Sequence, residues 1–132
     1  MGIRFDMVGL FVNNLPAMVA FYRDVLGVDI EWDGQGPYAE FKHAGIRFSM
    51  YARAELPGLL GQTPGYPQGL NGTFELAIDV PHFEDVDREF ERVVQAGGKP
   101  VYAPRLEPWG MRSSMVADPE GNLIEIGSWN KG

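Results

Sequence analysis

The chain contains no cysteine. That excludes a disulfide frame, a thiolate nucleophile and any cysteine-ligated metal centre. Histidine is nearly absent too: there are two, His43 in the turn-like stretch "KHAG" and His82 after Pro81 at a helix entry, and both read as surface residues rather than ligands. No apolar run approaches the ~20 residues with which a helix crosses a bilayer. Basic residues are few, 11 Lys and Arg against 18 Asp and Glu, for a net charge of -7. Without a basic stripe, nucleic acid is a poor partner. "GLLGQTPG" lacks the Lys-Ser/Thr ending of a phosphate-cradling loop, and there is no serine motif of the strand–turn–helix type. The first residues have neither the basic end nor the long apolar stretch of a signal peptide, so the expected location is the cytoplasm.

What is present suits one globular core. The chain has 132 residues, 45% of them hydrophobic, with eight Phe, five Tyr and three Trp. Residues 5–12, "FDMVGLFV", have the β-rich composition of a strand. Asn13-Asn14 can cap a helix whose first turn holds Pro16. Met18, Phe21, Tyr22, Val25 and Leu26 follow at helical spacing, and Gly27 closes the run. Short strands are expected at 28–32, 37–42 and 45–51. The segment 53–72 is dense in Gly and Pro and reads as a linker or a loop over a site. The pattern then begins again: strand 73–80, helix 81–96, and strands at 99–103, 111–117 and 122–127.

The two halves share the order strand, helix, strand, strand, strand, which argues for an internal duplication. Val8 to Val12 lie 68 positions before Leu76 to Val80, and Phe21 lies 69 before Phe90. The expected fold is α+β: two βαβββ modules, 1–52 and 73–132, form a cupped, barrel-like mixed sheet with helices outside, all within a single domain, 1–132. Strand side chains alternate between faces. Val8, Leu10 and Val12 should therefore face one helix, and Phe74, Leu76, Ile78 and Val80 the other. Met7, Gly9 and Phe11, Glu75, Ala77 and Asp79, Arg47, Ser49 and Tyr51, and Leu123 and Glu125 are left facing a cleft. The register of 111–117 leaves open whether Met111 or Arg112 points inward.

The stretches "AFYRDVLG" (20–27) and "PWGMRSSMVADPEGNLIEI" (108–126), set in this repeated order, resemble the vicinal oxygen chelate superfamily of glyoxalase I, bleomycin-resistance proteins and extradiol dioxygenases. The resemblance spans nearly the whole chain. It implies that metal-dependent members bind their ion through the first and last strands of each half. Those positions fall on Met7, Ser49, Glu75 and Glu125. Only the last matches the family's usual glutamate. Two carboxylates, a hydroxyl and a thioether are a poor set for a hard divalent ion, which prefers three or four N or O ligands.

The resemblance therefore points to the metal-free branch, with no cofactor. The expected function is metal-independent small-molecule binding in a central cleft. The ligand would be aromatic or cationic, held by Met7, Phe11, Arg47, Ser49, Tyr51, Glu75, Trp109 and Glu125, with Trp32 as a further flat surface. Two carboxylates ~5 Å apart at an effective dielectric near 20 repel by roughly 3 kcal/mol. Glu75 and Glu125 should then share a proton, bind a cation, or be neutralised by Arg47. The alternative is a glyoxalase-type lyase or isomerase, or a dioxygenase-like enzyme. There Glu75 and Glu125 hold a weakly bound divalent metal, or one of them shuttles a proton. The family also implies a homodimer.

Overall fold

The computed structural model describes residues 2–42 and 44–132. His43, assigned above to a surface turn, lies outside the described residues. The chain divides into two compact units, Met1–Tyr66 and Pro67–Gly132. Each is a four-stranded mixed sheet with helix packed beside it, so the fold is α+β with two modules, as expected.

In the first unit β1 (Met7–Val12) leads into α1 (Leu15–Ala20). The Asn14 side chain caps this helix by accepting from Ala17 N at 3.1 Å. The helix does not run regularly to Gly27. It continues as a π-helical turn, Phe21–Val25, in which Leu26 N donates to Phe21 O at 3.1 Å. Widening the last turn lets two adjacent aromatics, Phe21 and Tyr22, both pack inward at 6% and 2% exposure. Tyr22 then meets Phe41, and Phe41 meets Phe48, at centroid distances of 5.3 and 4.5 Å. The strands β2 (Ile30–Glu31), β3 (Tyr38–Phe41) and β4 (Arg47–Ala52) complete the order β1-β4-β3-β2, with β1 parallel to β4. The Gly/Pro-rich segment holds a 3₁₀ turn, Arg53–Glu55, and one short helix, α2 (Leu56–Leu60), which ends at Gly61 with φ +73°.

The second unit repeats the plan. Its strands are β5 (Asn71–Asp79), β6 (Lys99–Leu106), β7 (Arg112–Ala117) and β8 (Asn122–Ser128), in the order β5-β8-β7-β6. The helix α3 (Phe83–Gln95) packs on β6, β7 and β8. His82 caps it: its backbone N–H donates to the Asp85 carboxylate at 3.0 Å, and its ring meets the same oxygen at 3.2 Å. On the helix-facing side of the sheet Val116, Ile124 and Ile126 are fully buried with Val86 and Val93. Burying each such side chain contributes about 1.5–3 kcal/mol, which pins the alternation of β8. Arg112 donates twice to Asp87 of α3, both at 2.7 Å. It is therefore on the helix side, and the odd-numbered residues of β7 face the other way.

The turn before β8 is closed by a buried carboxylate. Asp118 accepts from Glu120 N, Asn122 N and Asn122 Nδ2 at 2.9–3.0 Å. Gly121 adopts φ +85°, and its carbonyl accepts from Asn71 N at 2.7 Å. Asn71 Nδ2 donates to Asn122 Oδ1 at 3.0 Å. Together these bonds dock the start of β5 against the start of β8.

Candidate functional site

β8 alternates around a carboxylate. With Ile124 and Ile126 locked into the helix-facing core, Glu125 must point from the opposite face, where it is partly buried. Its neighbours across the sheet are Ala77 on β5 and Met115 on β7. Glu75 pairs with Leu123, so it stands diagonal to Glu125 on the same face, about 7–8 Å away at the backbone. Glu75 is exposed. Neither carboxylate makes an ion pair or hydrogen bond among the described residues.

A third carboxylate belongs to this face, and the sequence reading missed it. Glu107 follows β6 and is only 7% exposed. It accepts from the Arg105 guanidinium and, at 3.1 Å, from the Ser113 hydroxyl. Ser113 is in turn 3.1 Å from the Tyr102 hydroxyl, and the Arg105 guanidinium lies 3.9 Å from the Tyr102 ring centroid. The available signal was the spacing of Arg105 and Glu107, two apart and so on one side of a strand that ends in the turn "EPWG".

The electrostatics follow from these positions. Burial pushes the Glu125 carboxyl above its ordinary value, and the charges of Glu75 and Glu107 push it further the same way. Glu107 moves oppositely, because the Arg105 hydrogen bond outweighs its own desolvation. Met111 settles the open question of the β7 strand: its methyl fills the space over Gly127 that a Cβ would need, and Glu125 Oε1 lies 3.7 Å from that same point. Met111, not Arg112, joins the Glu125 face. Trp109 is at the tip of the β6–β7 hairpin, 60% exposed, in a turn closed by Gly110 N donating to Glu107 O at 3.0 Å.

The first unit has its own equivalent face, formed by Met7 and Phe11 on β1, Tyr38 and Glu40 on β3, and Arg47, Ser49 and Tyr51 on β4. Phe11 is half-exposed, and Ser49 is buried at 2%. The Met7 sulfur accepts from the Ser49 hydroxyl at 3.3 Å and from the Tyr38 hydroxyl at 3.7 Å. Arg47 does not neutralise Glu75 or Glu125. Its ion pairs are with Glu40 at 2.6 Å and Asp6 at 3.0 Å, because Glu40 shares its face on the adjoining strand.

Comparison with known proteins places this architecture. The family model described as "Glyoxalase/Bleomycin resistance protein/Dioxygenase superfamily" matches residues 4–126. The chain belongs to that superfamily. Among curated proteins, it is 30% identical over 122 residues to the uncharacterized protein YraH of Bacillus subtilis, covering 90% of this chain and 93% of that one. Among solved structures, a glyoxalase/bleomycin resistance protein/dioxygenase from Nocardioides superposes with a TM-score of 0.83 at 20% identity, over 100% of this chain and 87% of that one. A lactoylglutathione lyase from Agrobacterium tumefaciens gives a TM-score of 0.72 at 23% identity, over 95% and 92% of the two chains. At those identities the two structures show the fold alone.

The resemblance implies a metal in the superfamily's metal-dependent members, so the donor set can be tested for it. Among the described residues no group of three or more His, Cys, Asp or Glu is arranged to hold a metal ion. Glu107 is committed to Arg105 and Ser113. Within the second unit, Glu75 and Glu125 are too few donors for a hard divalent ion. In the first unit the Met7 sulfur, already accepting from two hydroxyls, is a poor donor to such an ion.

Proposed function

We propose that the protein is a metal-independent small-molecule-binding member of the glyoxalase superfamily, and that its ligand is a cationic amphipathic molecule. The observation that carries this reading is the pair Glu75 and Glu125, two carboxylates on one sheet face that make no ion pair among the described residues. A bound cation relieves their repulsion, and it does so most strongly at Glu125, where water is partly excluded. Met111, Met115 and the Tyr102 ring give the same face an apolar, adaptable surface for the rest of the ligand. On the first unit Met7, Phe11, Ser49 and Tyr51 offer a comparable surface, and Trp109 a flat one on an exposed turn. Binding needs no bond to be made or broken, so the function is sequestration. We place it in the cytoplasm, in a homodimer.

Isothermal titration against a panel of aromatic and aliphatic ammonium compounds, bleomycin included, tests the reading. At least one should bind saturably, and Glu125→Gln should weaken it by about tenfold, the equivalent of one partly screened charge contact. Failure of the whole panel, or an unaltered affinity in Glu125→Gln, would overturn it. So would stoichiometric Ni, Zn, Mn or Fe in protein purified without chelators.

One observation favours a second reading. A carboxyl raised by burial and like charges is better suited than an ordinary glutamate to accept and return a proton. On this reading Glu125 takes a proton from carbon or oxygen of a carbonyl-bearing substrate and gives it back at a neighbouring position. Glu125→Gln separates the two: it abolishes turnover but only weakens a cationic ligand.

A further inference from the structure

A cleft of about 470 Å³ opens on the first unit, between the end of β1, the β2–β3 hairpin and the 3₁₀ turn after β4. We propose that this cleft is a separate binding site for a small organic ammonium ion. Trp32 and Glu55 both line it. The indole N–H is already spent, donating to Gly36 O at 2.8 Å. That bond fixes the ring and leaves its π face as the surface it can offer a ligand. An aromatic face of this kind attracts cations. Glu55 is exposed and makes no ion pair among the described residues, so its carboxylate is left for a ligand in the same cleft.

The hairpin wall is held in shape before any ligand arrives. Asp33 Oδ1 accepts from Gln35 N at 2.8 Å and from Gly36 N at 2.7 Å. A preformed wall reduces the ordering cost of binding. The start of α1 also borders the cleft, and a helix start ordinarily favours anions. Here it offers little to one. Pro16 has no N–H, Ala17 N is taken by the Asn14 side chain, and Met18 N by the Asn14 carbonyl. The charge balance of the lining is thus set by Glu55, and a chain with a net charge of -7 adds no opposing field.

The test is an NMR titration of backbone and indole N–H signals with choline, and with 3,3-dimethylbutan-1-ol, which puts carbon in place of the charged nitrogen. Choline should shift the Trp32 indole and the signals of 33–37 saturably. Glu55→Gln and Trp32→Leu should each weaken it by roughly fivefold or more, and the neutral alcohol should bind at least about as poorly as those variants do. Glu125→Gln should change the choline affinity read at the Trp32 indole by less than about twofold, since Glu125 is not among the residues that line this cleft. Trp32→Leu could disturb the hairpin, so the exposed Glu55→Gln carries the decision. The proposal is overturned if choline does not saturate, if the alcohol matches it, or if Glu55→Gln leaves its affinity unchanged. None of these outcomes bears on the Glu75 and Glu125 reading, which stands or falls on the Glu125→Gln titration above.

Discussion

Gly121→Ala should be among the most damaging single-methyl additions in the second module. Two effects add. At φ +85° an L side chain is strained whatever the space, by about 1–3 kcal/mol. In addition, a Cβ at Gly121 would overlap the Gly69 carbonyl oxygen and lie 2.9 Å from its carbon. These are backbone atoms, so relief requires the chain at Gly69 to move. That movement strains the 2.7 Å bond from Asn71 N to Gly121 O, which docks β5 against β8, at a further cost of about 1 kcal/mol or more. The total is about 2–4 kcal/mol or somewhat more. Gly110 provides the internal control. Its φ is +94°, but a Cβ there meets nothing within 4 Å, so Gly110→Ala should cost only the conformational part, about 1–2 kcal/mol. Urea unfolding followed by far-UV circular dichroism, with equal m-values required for the comparison, measures the difference. If the two variants lose equal stability, the overlap is relieved by free movement of 67–70, and the docking role assigned to this turn is wrong.

Three further outcomes follow from the Glu125 face. Glu125 has its folded carboxyl raised, so relative to an ordinary glutamate it adds stability below the ordinary carboxylate range and loses it as pH climbs through the raised value. Glu125→Gln should therefore gain on the order of 1 kcal/mol at pH 7.5 and nothing at pH 3.5, in urea titrations at the two pH values; an equal gain at both would refute the electrostatic cause. By the same sign, affinity for a fixed-charge ammonium ligand should fall on acidification, starting above the pH at which an ordinary glutamate titrates, and a pH-independent calorimetric affinity would contradict it. Ser113 is fully buried between Glu107 and Tyr102, so Ser113→Ala should cost about 1 kcal/mol or somewhat more; a thermal melt unchanged from the parent would mean the network is held by Arg105 alone.

The fold was legible where alternation or helical spacing had a buried partner to enforce it. Leu10 and Val12, and Ile124 and Ile126, went to the buried face their alternation required, whereas Val8, expected beside Leu10, stays 37% exposed near the open start of β1. What sequence could not carry was local geometry chosen by packing. The π-helical turn at Phe21–Val25 exists because two adjacent aromatics must both enter the core, and no propensity scale records that demand. The strand at 28–32 shrank to Ile30–Glu31, whose partners are Phe41 and Glu40. A strand's length is set by its neighbour's, and β3 itself is only four residues long.

The candidate site divides along the same line. Glu125 was legible because its two neighbours are isoleucines, and any sheet with a core on one side must turn it to the other. Glu107 was not, because it falls after a strand with two register shifts, where counting residues no longer tells which way a side chain points. Yet Glu107 changes the chemistry. It adds a third negative charge to the face, and Arg105, a cation of the same unit, pairs with Glu107. The expected partner Arg47 is likewise spent on Glu40 and Asp6. Arg47 and Arg105 are thus matched to carboxylates close by, and among the described residues Glu75 and Glu125 make no ion pair. A charge surplus left by short-range pairing is the condition under which an external cation gains most from binding, since no internal pair has to be broken first.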